Sequence, residues 1–447
     1  MKSPNHIYHL FPLGALYDKA NHSYRSIRTF ESWIDHWKRL HIDTVLLGPV
    51  FESVSHGYDT VNWRWVDPRI GSWEDLQSLI QRLHENDIRV VLDAVWNHTS
   101  RKHFAYRDLQ EKGMHSKYAD WYRQIDWNKP NKCGDSFTVE GWNGFQELPQ
   151  LNLNSSSVQQ EIMDVASLWI DSLNIDGVRL DAADVMDRNF LKKLSSFCRS
   201  RKENFWLMGE VVFGNPRLWL DEAELDSVTG YEVYKSLWSS FNDNNFFEIA
   251  YSLKRLFANN TGLCREKHLT LFNENHDVSR VRSILKDPSD WYPLHFLFYT
   301  LPGIPSIYYG EEFGFQAIKG NQEDSNLRPS IKGIPPETIP EPHYLGVLEH
   351  LSGLRLSKKA LLEGGYTELE VTSRRLAFKR THGSGDLMVF INGEKNPTAF
   401  LINENNPNII WIDITDPQAA PYRAENGKIK VLVDANWGKV LAPQLIS

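Results

Sequence analysis

Arg179 and Asp181 stand two residues apart in the segment Gly177-Val178-Arg179-Leu180-Asp181-Ala182-Ala183-Asp184. Ile175 to Leu180 reads as a short buried strand, and residues two apart on a strand point to the same face. An arginine so placed can hold the aspartate ionised and aim it, because a nearby opposite charge favours the charged form. A carboxylate nucleophile needs that treatment. The plain alternative is a structural ion pair. Other apolar strands end in similar residues: Asp93, Asn97 and His98; Glu210; Asn275, His276 and Asp277. The loop after a second strand carries His56, Tyr58 and Asp59, and the last one is followed by Glu311, Glu312, Asp324 and Arg328. Acids gathered at one mouth repel one another unless a cation or a developing positive charge sits among them. An oxocarbenium-like transition state at a glycosidic bond is such a charge.

The elements that position these residues alternate. Strand-like runs lie near Ile7, Thr44, Ile88, Ile175, Phe205, Leu225, His268 and Ile304. Helical spacing fills the intervals, as in Trp73 to Glu85 with Leu76, Leu79, Ile80 and Leu83 on one side. Eight such units over about 350 residues predict an α/β fold, a (β/α)8 TIM barrel, whose strand ends meet at one mouth. The barrel is expected over 1–98 and 155–357. A polar, aromatic insertion after strand three occupies 99–154, where a long irregular stretch is usually functional. From 358 to 447 the texture turns all-β and predicts a C-terminal β-sandwich.

Composition excludes some classes. Net charge is -8 with both signs mixed along the chain, which argues against a nucleic-acid partner. The sequence shows no basic start with an apolar run behind it, and no stretch of transmembrane length. Three cysteines, Cys133, Cys198 and Cys264, form no disulfide framework or metal-ligand spacing and suit a reducing compartment. The expectation is a cytoplasmic protein with no membrane contact. Aromatics are plentiful, at 16 Trp, 17 Tyr and 22 Phe; rings of this kind stack on sugars but also fill cores.

Four segments, Asp93-Ala94-Val95-Trp96-Asn97-His98, Gly177 to Ala183, Gly209-Glu210-Val211-Val212 and Glu274-Asn275-His276-Asp277, resemble the alpha-amylase family, glycoside hydrolase family 13, in order and spacing. The resemblance covers essentially the whole chain. It implies a retaining hydrolase of α-1,4-glucosidic bonds in maltooligosaccharides, with Asp181 as nucleophile, Glu210 as general acid/base and Asp277 stabilising the transition state. Arg179 would orient Asp181, and His98 and His276 would bond sugar hydroxyls. His56, Tyr58 and Asp59 match the family's loop at the cleavage site, with Tyr58 as a stacking platform. Asp324 and Arg328 resemble a pair on the non-reducing side. Asn97 is read as architectural, tying the insertion to the barrel, and Trp142 as a sugar-stacking or packing ring.

The chain also departs from the family. Asp184-Val185 stand where many members have Lys-His, which puts the usual calcium site in doubt. No metal ligand is assigned and no cofactor is expected to be required. Leu148-Pro149-Gln150-Leu151-Asn152 is closest to the neopullulanase and cyclomaltodextrinase signature and related to that of oligo-1,6-glucosidases, yet the chain starts directly at the barrel, without the N-terminal β-domain of that group. The expected partner is an α-glucan or maltooligosaccharide, met by a monomer or homodimer. Action on α-1,6 or cyclic substrates, transglycosylation, and a non-catalytic glucan-binding subunit remain as alternatives.

Overall fold

Short apolar runs rich in Val, Leu and Ile form strands buried on both faces, as parallel sheets require. The computed structural model describes residues 3–320, 324–416 and 418–445. Met1 and Lys2 of the N-terminal segment, and Ile446 and Ser447 at the end of the expected sandwich, lie outside the described residues. Eight strands follow in order: β1 (Ile7–Leu10), β2 (Thr44–Leu47), β3 (Arg89–Ala94), β4 (Gly177–Leu180), β5 (Trp206–Gly209), β6 (Ser227–Thr229), β7 (His268–Leu271) and β8 (Ile304–Tyr308). They close into a barrel in sequence order, with β8 beside β1. This is the (β/α)8 architecture, followed by an antiparallel all-β region.

By contacts the chain divides into two units. One holds the N-terminal segment up to Lys38, Ile42–Thr229 and Arg328–Glu337. In it, helix Trp73–His84 opens on a capping box made by Ser72 and Asp75 and buries Leu76, Leu79, Ile80 and Leu83, an i, i+3, i+4, i+7 stripe. Helix Ser156–Leu173 stops at Asn174, which adopts the left-handed conformation with φ 58°. A hairpin of Phe51–Ser53 and Thr60–Val66 carries the loop with His56, Tyr58 and Asp59. In the insertion, helix Phe104–Lys112 packs beside a buried knot. Asp135 there accepts from Arg101, Tyr106, Gln110 and Asn131.

The other unit holds Arg39–His41, Gly230–Leu327 and the chain from Thr338. Two helices follow β6, Tyr231–Asn242 and Phe246–Phe257, with Asn244 between them at φ 50°. Beyond helix Tyr344–Leu356 come β9 (Gly365–Val371), β10 (Arg375–Thr381), β11 (Leu387–Asn392), β12 (Thr398–Asn403), β13 (Ile409–Asp413), β14 (Lys428–Val433) and β15 (Trp437–Leu445). One sheet has the order β9-β10-β11-β15-β13, edged by the short strand Tyr422–Arg423, and β12 pairs with β14 in a second. Phe390, Leu441 and Trp411 from the first pack with Phe400, Ile429, Val431 and Val433 from the second, one core between two layers. The buried Arg374 ties this region to the helices before it by bonding Asp290 at 2.5 Å.

Candidate active site

Register explains how the central residues meet. Parallel pairing sets Asp93 of β3 opposite Arg179 of β4, and β5 ends beside β4 at the pair Leu180 and Gly209. The Arg179 guanidinium therefore reaches three carboxylates at the ends of three consecutive strands. Nη1 lies 2.7 and 2.8 Å from the two Asp93 oxygens and 3.1 Å from Asp181 Oδ1. Nη2 lies 2.7 Å from Glu210 Oε1. Arg179 is 3 % exposed and all three acids are buried. Burial alone would lower the Arg179 pKa, but Asp93, Glu210, Tyr58 and Asp181 outweigh it and hold the group well above its ordinary value. An arginine fork is suited to this, since one planar group donates several charge-assisted bonds at once.

The turn after Asp181 is tied to Glu210. Ala182 takes φ 50°, a left-handed conformation costing a non-glycine residue roughly 1–2 kcal/mol. Its N–H donates to Glu210 Oε2 at 3.1 Å, and the Asp184 N–H donates to the Glu210 carbonyl at 3.2 Å. The Asp184 carboxylate accepts from the Val212 N–H at 3.3 Å. Burial, with Glu210 adding to it, raises the Asp184 pKa. Val185 is exposed and offers no donor atom where many family members have a histidine, so the residues here do not supply the family's usual metal site. Among the described residues no cluster of His, Cys, Asp and Glu is suited to hold a metal ion.

The loop at the second strand braces itself and reaches the same centre. Asp59 accepts from Ser55 Oγ at 2.6 Å and from the His56 N–H at 3.2 Å. The Tyr58 hydroxyl donates to Asp93 Oδ2 at 2.8 Å. The Tyr58 ring stacks on Phe11 with centroids 6.2 Å apart. The Arg328 guanidinium lies over both rings, 4.5 Å from Phe11 and 5.9 Å from Tyr58, so Arg328 joins this loop. Asp324 is half-buried, and its carbonyl accepts from the Leu327 N–H.

His98 is fully buried, and burial lowers its pKa to about 4. Both of its nitrogens already face protein groups, Nδ1 the Asn97 amide at 3.4 Å and Nε2 the Tyr58 carbonyl at 3.0 Å. A sugar hydroxyl would have to share Nε2 with that carbonyl. Trp142 stacks on His98 at 5.4 Å, and exposed Phe145 stacks on Trp142 at 6.2 Å, so a row of rings runs from the surface to His98. Asn97 does tie the insertion to the barrel: its Oδ1 accepts from Gln150 and its carbonyl from the Leu151 N–H. A cleft of about 580 Å³ opens between the end of the insertion (150–154) and the loop 185–189. Arg188 and Glu222, both lining the cleft, pair at 2.9 Å.

In the second unit, beyond β7, His276 Nε2 lies 2.9 Å from Asp277 Oδ2. Asp277 is braced by its own N–H, which donates to Asn275 Oδ1 at 2.8 Å. The acids after β8 turn inward. Glu311 bonds His295 at 2.9 Å and Asn273 at 3.1 Å, and Glu312 accepts from the Gly310 N–H. Sequence reasoning missed Asp93 as the main partner of Arg179, and Gln150 as the partner of Asn97. Asp93 had a signal, a carboxylate following the apolar run Val90-Val91-Leu92, but its opposite number depends on register.

The family profile described as alpha amylase, catalytic domain, matches residues 29–336. The cyclomaltodextrinase of Thermoanaerobacter pseudethanolicus is 28% identical over 381 residues, covering 83% of this chain and 64% of that protein. Alpha-amylase 3 of Dictyoglomus thermophilum is 32% identical over 330 residues, covering 67% of this chain and 61% of that protein. The chain thus spans a little under two thirds of the length of these curated relatives. The crystal structure of an alpha-amylase from H. orenii shares the fold, with a TM-score of 0.85 at 20% identity, covering 99% of this chain and 100% of that one. With the profile matching more than half of its length and the motif residues standing at the strand ends, the chain belongs to the alpha-amylase family.

Proposed function

We propose that this chain is a retaining glycoside hydrolase that cleaves α-1,4-glucosidic bonds of short maltooligosaccharides, linear or cyclic. The observation that carries the reading is the single guanidinium of Arg179 holding both Asp181 and Glu210. One fork gripping two carboxylates favours the short separation of a retaining pair, about 5–5.5 Å, over the wider gap of an inverting pair. Asp181 attacks the anomeric carbon while Glu210 protonates the departing oxygen, leaving a glycosyl ester on Asp181. Glu210 then takes a proton from water, which attacks the same carbon and releases Asp181. Asp277, with His276 beside it, grips sugar hydroxyls as positive charge develops on the ring.

The rings Phe145 and Trp142 supply a stacking path for the incoming chain, and the cleft at 150–154 and 185–189 receives units beyond the cleaved bond. The signature Leu148 to Asn152 and the likeness to a cyclomaltodextrinase support the preference for short and cyclic substrates. The sparse cysteines, none paired among the described residues, support a cytoplasmic setting, with the protein acting as a monomer or homodimer and without a required metal.

Product analysis tests the reading. Purified protein is incubated with starch, maltohexaose, panose, pullulan and a cyclodextrin, with and without a chelator. Maltose and glucose should leave the short and cyclic substrates fastest, unaffected by chelator. Rapid chelator-sensitive fragmentation of starch would overturn the substrate and metal assignments. Oligosaccharides longer than maltohexaose would point to transfer, and no turnover of any glucan would sink the catalytic reading.

A further inference from the structure

Gln150 is buried at the end of the insertion and forms an isolated antiparallel bridge with His98. Its Nε2 donates to Asn97 Oδ1 at 3.0 Å, and Asn97 is fully buried. An amide has one accepting end and one donating end. Once Asn97 Oδ1 faces Gln150, its Nδ2 must face the other neighbour, His98 Nδ1, at 3.4 Å. Nδ1 then serves as acceptor, so the neutral ring carries its proton on Nε2. That proton points at the Tyr58 carbonyl, 3.0 Å away. With the opposite tautomer two hydrogens would meet at Nδ1 and two lone pairs at Nε2. Tyr58 in turn donates its hydroxyl to Asp93, the main partner of Arg179.

We propose that Gln150 is a positioning residue: its amide orients Asn97, which joins the Tyr58 carbonyl in fixing the tautomer and seat of His98 and so the seat of Tyr58 against Asp93. The kinetic side of this role rests on the hydrolase reading; the tautomer does not. Burial keeps His98 neutral, lowering its pKa to about 4, with the Tyr58 carbonyl and Asp59 opposing that fall and His56 adding to it. In metal sites a second group that fixes the tautomer of a working histidine typically matters by about 10–100-fold.

The test replaces Gln150 by a group of reversed polarity, Gln150→Glu, and by one without polarity, Gln150→Leu. Protein labelled with ¹⁵N-histidine is examined by two-dimensional imidazole NMR between pH 5 and 8. The His98 signals are identified by their loss in His98→Gln. The native ring should remain the neutral Nε2–H form throughout. Glu at 150 accepts from Asn97 Nδ2 and turns Oδ1 toward the ring, so His98 should gain a proton on Nδ1. Leu frees Asn97 to turn, so the His98 Nδ1 resonance should shift while the Tyr58 carbonyl keeps the proton on Nε2, with kcat/KM on maltohexaose reduced about tenfold. Unchanged His98 signals in both variants would overturn the proposal. If Gln150→Leu does not fold, the nearly isosteric Gln150→Glu carries the same readout. A native protein that hydrolyses no glucan would count against the hydrolase reading while leaving the tautomer result intact.

Discussion

Replacing Arg179 separates its charge from its shape. Arg179→Lys keeps one positive charge but offers a single nitrogen where the fork offered two. The deepest acid, Asp93, would capture it, because Asp93 already takes two of the four close contacts. Asp181 and Glu210 would each lose a charge-assisted bond, at about 1.5–3 kcal/mol apiece. If this loss falls on the transition state, about 3–6 kcal/mol lowers kcat by roughly two to four orders of magnitude. Stability should suffer less, since the charge remains. Arg179→Leu strands three buried carboxylates, and breaking such a group costs about 3–5 kcal/mol. For 447 residues the unfolding entropy is about 0.9 kcal/mol/K, so the thermal midpoint should fall by about 3–5 °C. The assays are reducing-end release from maltohexaose and thermal unfolding at pH 7. An Arg179→Lys enzyme within about threefold of native kcat would refute the argument that the fork aims the acids. An unmoved midpoint in Arg179→Leu would refute the electrostatic half.

Two further outcomes concern titration. At Asp135 burial alone would raise the pKa, but bonds from Arg101, Asn131, Gln110 and Tyr106 outweigh it and hold the carboxyl at about 2. Its stabilisation is present above the unfolded carboxyl range and is lost as pH falls through about 2. Asp135→Asn should therefore lose roughly 1–3 kcal/mol at pH 7 and converge with the native protein in strong acid, as read by thermal unfolding and by proteolysis within the insertion. Glu311 is the opposite case. Burial pushes its pKa up to about 8, while burial lowers that of His295 to about 4. His295 Nδ1 faces the Trp291 carbonyl, so the neutral ring presents a bare Nε2 to a protonated Glu311. This raised pKa contributes stability that is complete below the unfolded glutamate range and is lost as pH rises through about 8. The native midpoint should drop between pH 6 and 9, and Glu311→Gln should flatten that drop; an equal slope in the variant would contradict it.

The barrel was legible because its strands are apolar runs separated by helical spacing, and periodicity survives without tertiary information. Within the all-β region, β15 is hard to read from sequence, because Gly438, Lys439, Pro443 and Gln444 break the alternation, whereas β14 is exposed and buried in strict turn. The hairpin at Phe51–Ser53 and Thr60–Val66 escaped for a related reason. Its register shifts twice, and Thr60, Trp63 and Val66 are buried at intervals of three, not two. The site was legible where residue type alone speaks, at Arg179, Asp181 and Glu210. It was not where pairing decides. Asp93 meets Arg179 through strand register, and Gln150 meets Asn97 across 53 residues of chain.

The alignment of Asp93 with Arg179 has a consequence for how such a protein can change over generations. The three acids are referenced to backbone pairing of neighbouring barrel strands, whereas Trp142, Phe145 and the cleft walls stand on connecting segments. Drift, insertion or exchange in those segments can alter which sugars are admitted without disturbing the reacting groups. A library confined to 142–148 and 185–189, with Gln150 and Leu151 kept, should therefore yield altered preferences at high frequency. A shift of one residue in β3 would disable every member alike.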